Sequence, residues 1–209
     1  MEKPLKSANA PGLVAAVTLN LFWFIAFQEG SIASAESWPS IQQVLARAVL
    51  AGIAVVLIFV INGLIPANAK ARIVFLRWDN PLPGSEAFSR YLFTDPRISI
   101  DNIEREYGEL PTSAREQNAL WYRMYRGIAS EPSVAHAHRA YLFTRDYAAI
   151  ALMLFVVLGF LAIVRFPDSS SILIYLGTMT IQLVIVILAA RNYGERFVTT
   201  VLAITSAME

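Results

Sequence analysis

The chain has 209 residues, 56% of them hydrophobic and only 16% charged, with a formal net charge of +1, a mean hydropathy of +0.50 and no cysteine. Ordinary soluble domains carry about 45–50% apolar and about 25% charged residues, so this composition excludes an average soluble domain. It also excludes a disulfide scaffold and thiolate chemistry, and the balanced charge excludes bulk attraction to nucleic acid.

The apolar excess is gathered into four blocks: Gly12 to Phe27, Val44 to Ile65, Tyr147 to Val164 and Ile172 to Ala190. A bilayer core of about 30 Å takes about 20 helical residues, and at 1.5 Å per residue the second and fourth blocks reach roughly 33 and 28 Å. The first reaches only roughly 24 Å and is expected to borrow the mild Ile32 to Ala35 stretch, with Gln28 and Glu29 at the outer interface. Lys3 and Lys6 before this block, with Ala33-Ser34-Ala35 after it, also fit a signal peptide. The length of the run and the distance to that site favour a retained span.

Arg47 is the only charge inside the blocks, one turn into the second. It is placed to snorkel outward, with a positive pore mouth or a salt bridge to Glu29 or Glu36 as alternatives. Lysine and arginine collect on cytoplasmic flanks. Residues 66–146 hold eleven basic residues, the N-terminal tail holds Lys3 and Lys6, and the C-terminal tail holds Arg191 and Arg196. Gln28 to Gln43 holds none. Both termini and the long loop are therefore expected on the cytoplasmic side, with Trp23, Trp38 and Tyr175 towards the outer interface.

The 66–146 segment is too rich in aromatics for a disordered linker and should fold. Pro66 ends the second span, and Lys70 and Arg72 sit where snorkelling side chains reach headgroups. Pro81, Pro83 and Gly84 impose an extended segment and a turn. Ser85 is expected to cap a short helix carrying Phe88, Tyr91 and Leu92, and Asp101 to Tyr107 a second one, ended by Gly108. Ser113 and Glu116 form a capping box for a third helix with Leu120, Met124 and Ile128 on one side. Ser133 is expected to cap a single rod, Val134 to Val164, of roughly 46 Å that runs through the third span. Arg191 to Met208, too short to span again, reads as a cytoplasmic or interfacial helix packing on the loop domain or a neighbouring subunit.

The fold class is thus an all-α membrane protein: residues 1–65 form the tail and spans 1 and 2, 66–146 a small helical cytoplasmic domain, 147–190 spans 3 and 4, and 191–209 a C-terminal helix. Catalytic sets are missing, with no phosphate-binding glycine loop, no Gly-x-Ser-x-Gly and no His-Glu-x-x-His, so no enzyme, cofactor or metal is expected. His136 and His138 are two apart and point about 200° apart on a helix, so a shared metal would need a broken helix there, and the plainer reading is polar interfacial histidines on the rod. The spans lack a carboxylate, which argues against an ion-coupled carrier.

Neutral polar residues do lie in the spans: Thr18, Asn20, Asn62, Tyr175, Thr178, Thr180 and Gln182. Tyr175, Thr178 and Gln182 share one helical face, and with Asn20 they are the pore-lining candidates of a hydrated path; the plainer reading is interhelical hydrogen-bond glue. In the loop domain Arg115, Trp121, Arg123, Arg126 and Arg139 are the ligand-binding candidates, arginine for phosphate and aromatics for stacking. The same mixture also serves intersubunit interfaces.

The run Arg77-Trp78-Asp79-Asn80-Pro81-Leu82-Pro83-Gly84 with Ala87-Phe88-Ser89, Leu110-Pro111, Glu116-Gln117-Asn118-Ala119-Leu120-Trp121-Tyr122 and Arg145-Asp146 resembles small four-span membrane effectors of bacterial antiphage-defence operons, Hailong-type channel effectors among them. The resemblance covers mainly residues 72–146. It implies an oligomeric inner-membrane channel or pore gated through its cytoplasmic domain, and carries no residue roles. The expected partners are the lipid bilayer, further copies of the chain in a homo-oligomer, with a tetramer favoured, and a nucleotide or oligonucleotide signal or a cytosolic defence partner. A non-conducting scaffold or sensor that recruits a cytosolic partner is the alternative.

Overall fold

The computed structural model describes residues 5–28, 41–166 and 168–208, with side chains from 8 and, in the second segment, from 48. The readings made on Lys3, Glu29, Ile32 to Ala35, Glu36, Trp38 and the Lys6 and Arg47 side chains lie outside the described residues. Among the described residues every regular element is helical: α1 (Leu5–Gln28), α2 (Ile41–Leu64), α3 (Ala67–Phe75), α4 (Ile100–Tyr107), α5 (Ala114–Gly127), α6 (Pro132–Arg165) and α7 (Ser169–Ala207), with short 3-10 turns at Pro83–Glu86 and Tyr91–Phe93. Helices α1, α6 and α7 each carry a stretch long and apolar enough to cross a membrane. The described part of α2 reaches that length only together with α3, across the bend at Ile65 and Pro66.

The chain divides into two compact units, residues 1–66 with 146–186 and residues 67–145 with 187–209. In the first unit, large apolar side chains such as Leu50, Val56, Val156, Phe160, Leu173 and Ile181 are exposed. So much exposed oil is unusual for a soluble monomer and suits lipid as the surrounding solvent. An aromatic cluster packs within this unit: Tyr175 meets Phe24, Phe27 and Phe166 with ring centroids 5.8, 5.5 and 5.3 Å away.

The second unit has a core of Phe88, Tyr91, Ile103, Leu120, Trp121, Met124, Val198 and Leu202. Local signals set its helix ends. Ser99 caps α4 by accepting from Asn102 N, and Gly108 ends it at φ 77°. Ser113 caps α5 by accepting from Glu116 N, and the Glu116 carboxylate takes the Ser113 hydroxyl at 2.6 Å in place of the backbone N–H that a full capping box would use.

Four local expectations change. Residues 83–93 form 3-10 turns in place of a helix capped by Ser85, which sits inside the turn that Pro83 starts and caps nothing. The segment is held instead by Gln117, buried on α5, whose Oε1 accepts from Phe88 N, Ser89 N and Ser89 Oγ, and whose Nε2 donates to Thr112 O. Gly84 lies flat on α5: a Cβ there would come within 2.5 Å of the Trp121 ring. Second, α6 starts at Pro132, a favourable first-turn position, so Ser133 is inside the helix.

Third, α7 does not break at Arg191 but continues for 39 residues. Gly194 serves packing there, since its missing Cβ makes room for Phe75 and Tyr141. Arg191 Nε donates to the Val74 carbonyl, fixing α3 to the same stretch of α7. Fourth, Lys70 is buried at 5% exposure, whereas Arg72 remains exposed.

Candidate functional site

The first unit holds an open cleft of about 690 Å³ between α1, α6 and α7. Gly12, Ala15 and Ala16 keep the α1 wall low, since small residues at this spacing share one helical face. The polar lining is Asn20, Tyr147, Thr178 and Gln182, and Leu19, Phe22 and Trp23 supply apolar walls. Three of the four residues read as pore-lining candidates therefore meet at one surface.

The bonds within the cleft are specific. Gln182 Nε2 donates to Tyr147 Oη at 2.8 Å, and Thr178 Oγ1 donates back to the Tyr175 carbonyl at 2.8 Å. Asn20 Nδ2 donates to the Ala16 carbonyl at 2.8 Å, while its Oδ1 is buried with no partner among the described residues. An orphaned carbonyl oxygen is costly where no water can reach it. The fourth candidate, Tyr175, lies elsewhere, fully buried in the aromatic cluster with a hydroxyl that has no partner there. Tyr147 went unnoticed in the sequence because it opens an apolar block, and its bond to Gln182 spans 35 residues.

Thr18 faces a second cleft, of about 480 Å³, with α2 residues Ala51, Gly52 and Val55. Thr180 bonds to the carbonyl of Leu176, and Asn62 is buried with its Oδ1 unpartnered among the described residues.

The five ligand-binding candidates of the second unit do not form one surface. Trp121 is buried at 5% exposure, stacked on Tyr125 at 5.9 Å and meeting the edge of Phe197 at 5.1 Å. Arg115 lines a separate polar cavity with Arg72, Trp78, Asn80, Ser85 and Asn118, whereas Arg123, Arg126 and Arg139 are exposed and outside it. Helical phase explains the split: at 100° per residue, Trp121 sits about 120° around α5 from Arg115.

The two histidines also separate, His136 exposed and His138 half-buried. His138 stacks on Phe197 at 4.6 Å, and its Nδ1 shares a 3.0 Å hydrogen bond with Tyr125 Oη. Burial, with Arg145 adding to it, pushes the His138 imidazole down to about 4. Neither histidine belongs to a group of three metal-ligating side chains among the described residues.

Comparison with protein-family models, with curated proteins and with solved structures gives no match for this chain.

Proposed function

We propose that this protein is an oligomeric channel of the bacterial inner membrane, with four spans, both termini cytoplasmic and the 67–145 region as its regulatory part. The observation that carries this reading is the cleft of Asn20, Tyr147, Thr178 and Gln182 on a unit whose surface is otherwise apolar. A polar face open to lipid is unfavourable in a single subunit, and several copies sharing an axis would turn four such faces into one hydrated path. The unpartnered Asn20 oxygen would then face water. The resemblance of the 72–146 motifs to antiphage-defence effectors supplies the biological setting of this proposal, and a nucleotide or a cytosolic defence partner is the signal it suggests.

A second reading has its own support. Gln182 and Thr178 already spend hydrogens inside the unit, as interhelical glue does, and this favours a non-conducting scaffold that anchors a recruiting domain. Recording from the purified chain in planar bilayers separates the two. The channel reading expects currents whose unitary conductance changes in Gln182→Leu and Thr178→Val. Silence in every condition, with the oligomer intact, would sink it and leave the scaffold.

A further inference from the structure

The second unit contains a cavity of about 210 Å³ that the proposed conduction path does not use. Its walls come from α3, the 78–85 segment and α5, and it gathers two guanidinium groups, Arg72 and Arg115. Neither has a carboxylate partner among the described residues. Arg72 Nε is spent on the Trp78 carbonyl at 3.0 Å, which anchors the side chain and leaves its terminal nitrogens available. Arg115 makes no side-chain bond among the described residues.

The neutral lining is of the same kind. Asn118 and Asn80 bring amides, and Ser85, only 3% exposed, brings a hydroxyl that bonds to nothing else described. Leu76 at φ 52° and Asn80 at φ 45° hold the loop in left-handed turns, and Gly84 presses it on Trp121. Two planar cations with amide and hydroxyl donors are what a tetrahedral oxyanion needs, because each guanidinium can give two parallel N–H bonds. One carboxylate, Asp79, also lines the cavity and is paired with neither arginine. A carboxylate beside a phosphate site has a use when the ligand carries a hydroxyl to donate to it.

We propose that this cavity binds a phosphate ester whose alcohol part bears a free hydroxyl, with Arg72 and Arg115 on the phosphoryl oxygens and Asp79 accepting from the hydroxyl. A glycerol phosphate group has this chemistry, either on a membrane lipid or in a soluble molecule. The inference stands apart from conduction, since it concerns only the second unit.

Calorimetric titration of the full-length chain in neutral detergent with sn-glycerol 3-phosphate tests the soluble source. Phosphatidylglycerol retained from nanodiscs of phosphatidylcholine with and without that lipid tests the membrane source. Binding in either arm is expected to weaken about tenfold or more in Arg115→Gln, as suits loss of a charge-assisted pair, and to be unchanged in Arg123→Gln. Arg115 is exposed and holds nothing else, so this variant folds. Asp79→Asn is expected to weaken glycerol phosphate while strengthening inorganic phosphate. Binding in neither arm, or equal binding by Arg115→Gln and the unmodified chain, overturns the site. Tighter binding of both phosphates by Asp79→Asn overturns the hydroxyl contact.

Discussion

Each unit is built around a ring cluster, and the two clusters treat polarity in opposite ways. In the first, Tyr175 is enclosed by Phe24, Phe27 and Phe166, and its hydroxyl meets no acceptor or donor among the described residues. In the second, Phe197 is the hub for Trp121, Tyr125 and Tyr141, and His138 stacked on it shares a hydrogen bond with Tyr125. The same packing geometry thus yields an inert contact in one place and a titratable one in the other. What differs is whether a polar atom in the cluster finds a partner.

The comparison can be broken most forcibly at the hubs. Phe197→Ala is expected to cost about 3–5 kcal/mol, the usual loss for emptying a buried aromatic site in water. Phe24→Ala is expected to cost less, because in lipid the vacated space forfeits packing without a hydrophobic penalty. Hydrogen exchange on each unit in detergent micelles would show it, and equal loss in both units would contradict this difference.

Next in size comes acid. His138 has a folded value of about 4 against an ordinary 6.5, so the unfolded chain takes up the proton first as pH falls. The second unit should therefore keep its full stability above pH 6.5 and lose it progressively between pH 6.5 and about 4. Unfolding monitored by near-ultraviolet circular dichroism should show this loss, and His138→Phe should flatten it. Smallest of all, Tyr175→Phe removes a hydroxyl that bonds to nothing described and should stay within about 0.5 kcal/mol of the parent. A loss several times larger would mean that the hydroxyl has a partner in the assembled protein.

What could be read in the sequence was what is encoded within a turn or two. The charge-free blocks, the Ser113 cap of α5, the Gly108 stop and the unbroken run of α6 through Val164 all depend on neighbours a few residues apart. The features that escaped depend on distant partners. The continuation of α7 past Arg191 leans on Gly194, whose missing Cβ makes room for Phe75 and Tyr141, both remote in the chain. Arg115 was grouped with Trp121 by composition, whereas helical phase sends one to the cavity beside Arg72 and the other to the core. Tyr147 and Gln182 likewise find each other only once α6 and α7 are side by side.

The Gln117 amide has a kinetic corollary. Helix α5 carries its own Ser113 cap and can begin to form from local contacts, but residues 83–93 have no such cap and are fixed by a side chain 28 and 29 residues further on. Their order of assembly is thereby constrained: the amide protons of Phe88 and Ser89 gain protection only after α5 exists, and give it up first when the unit opens.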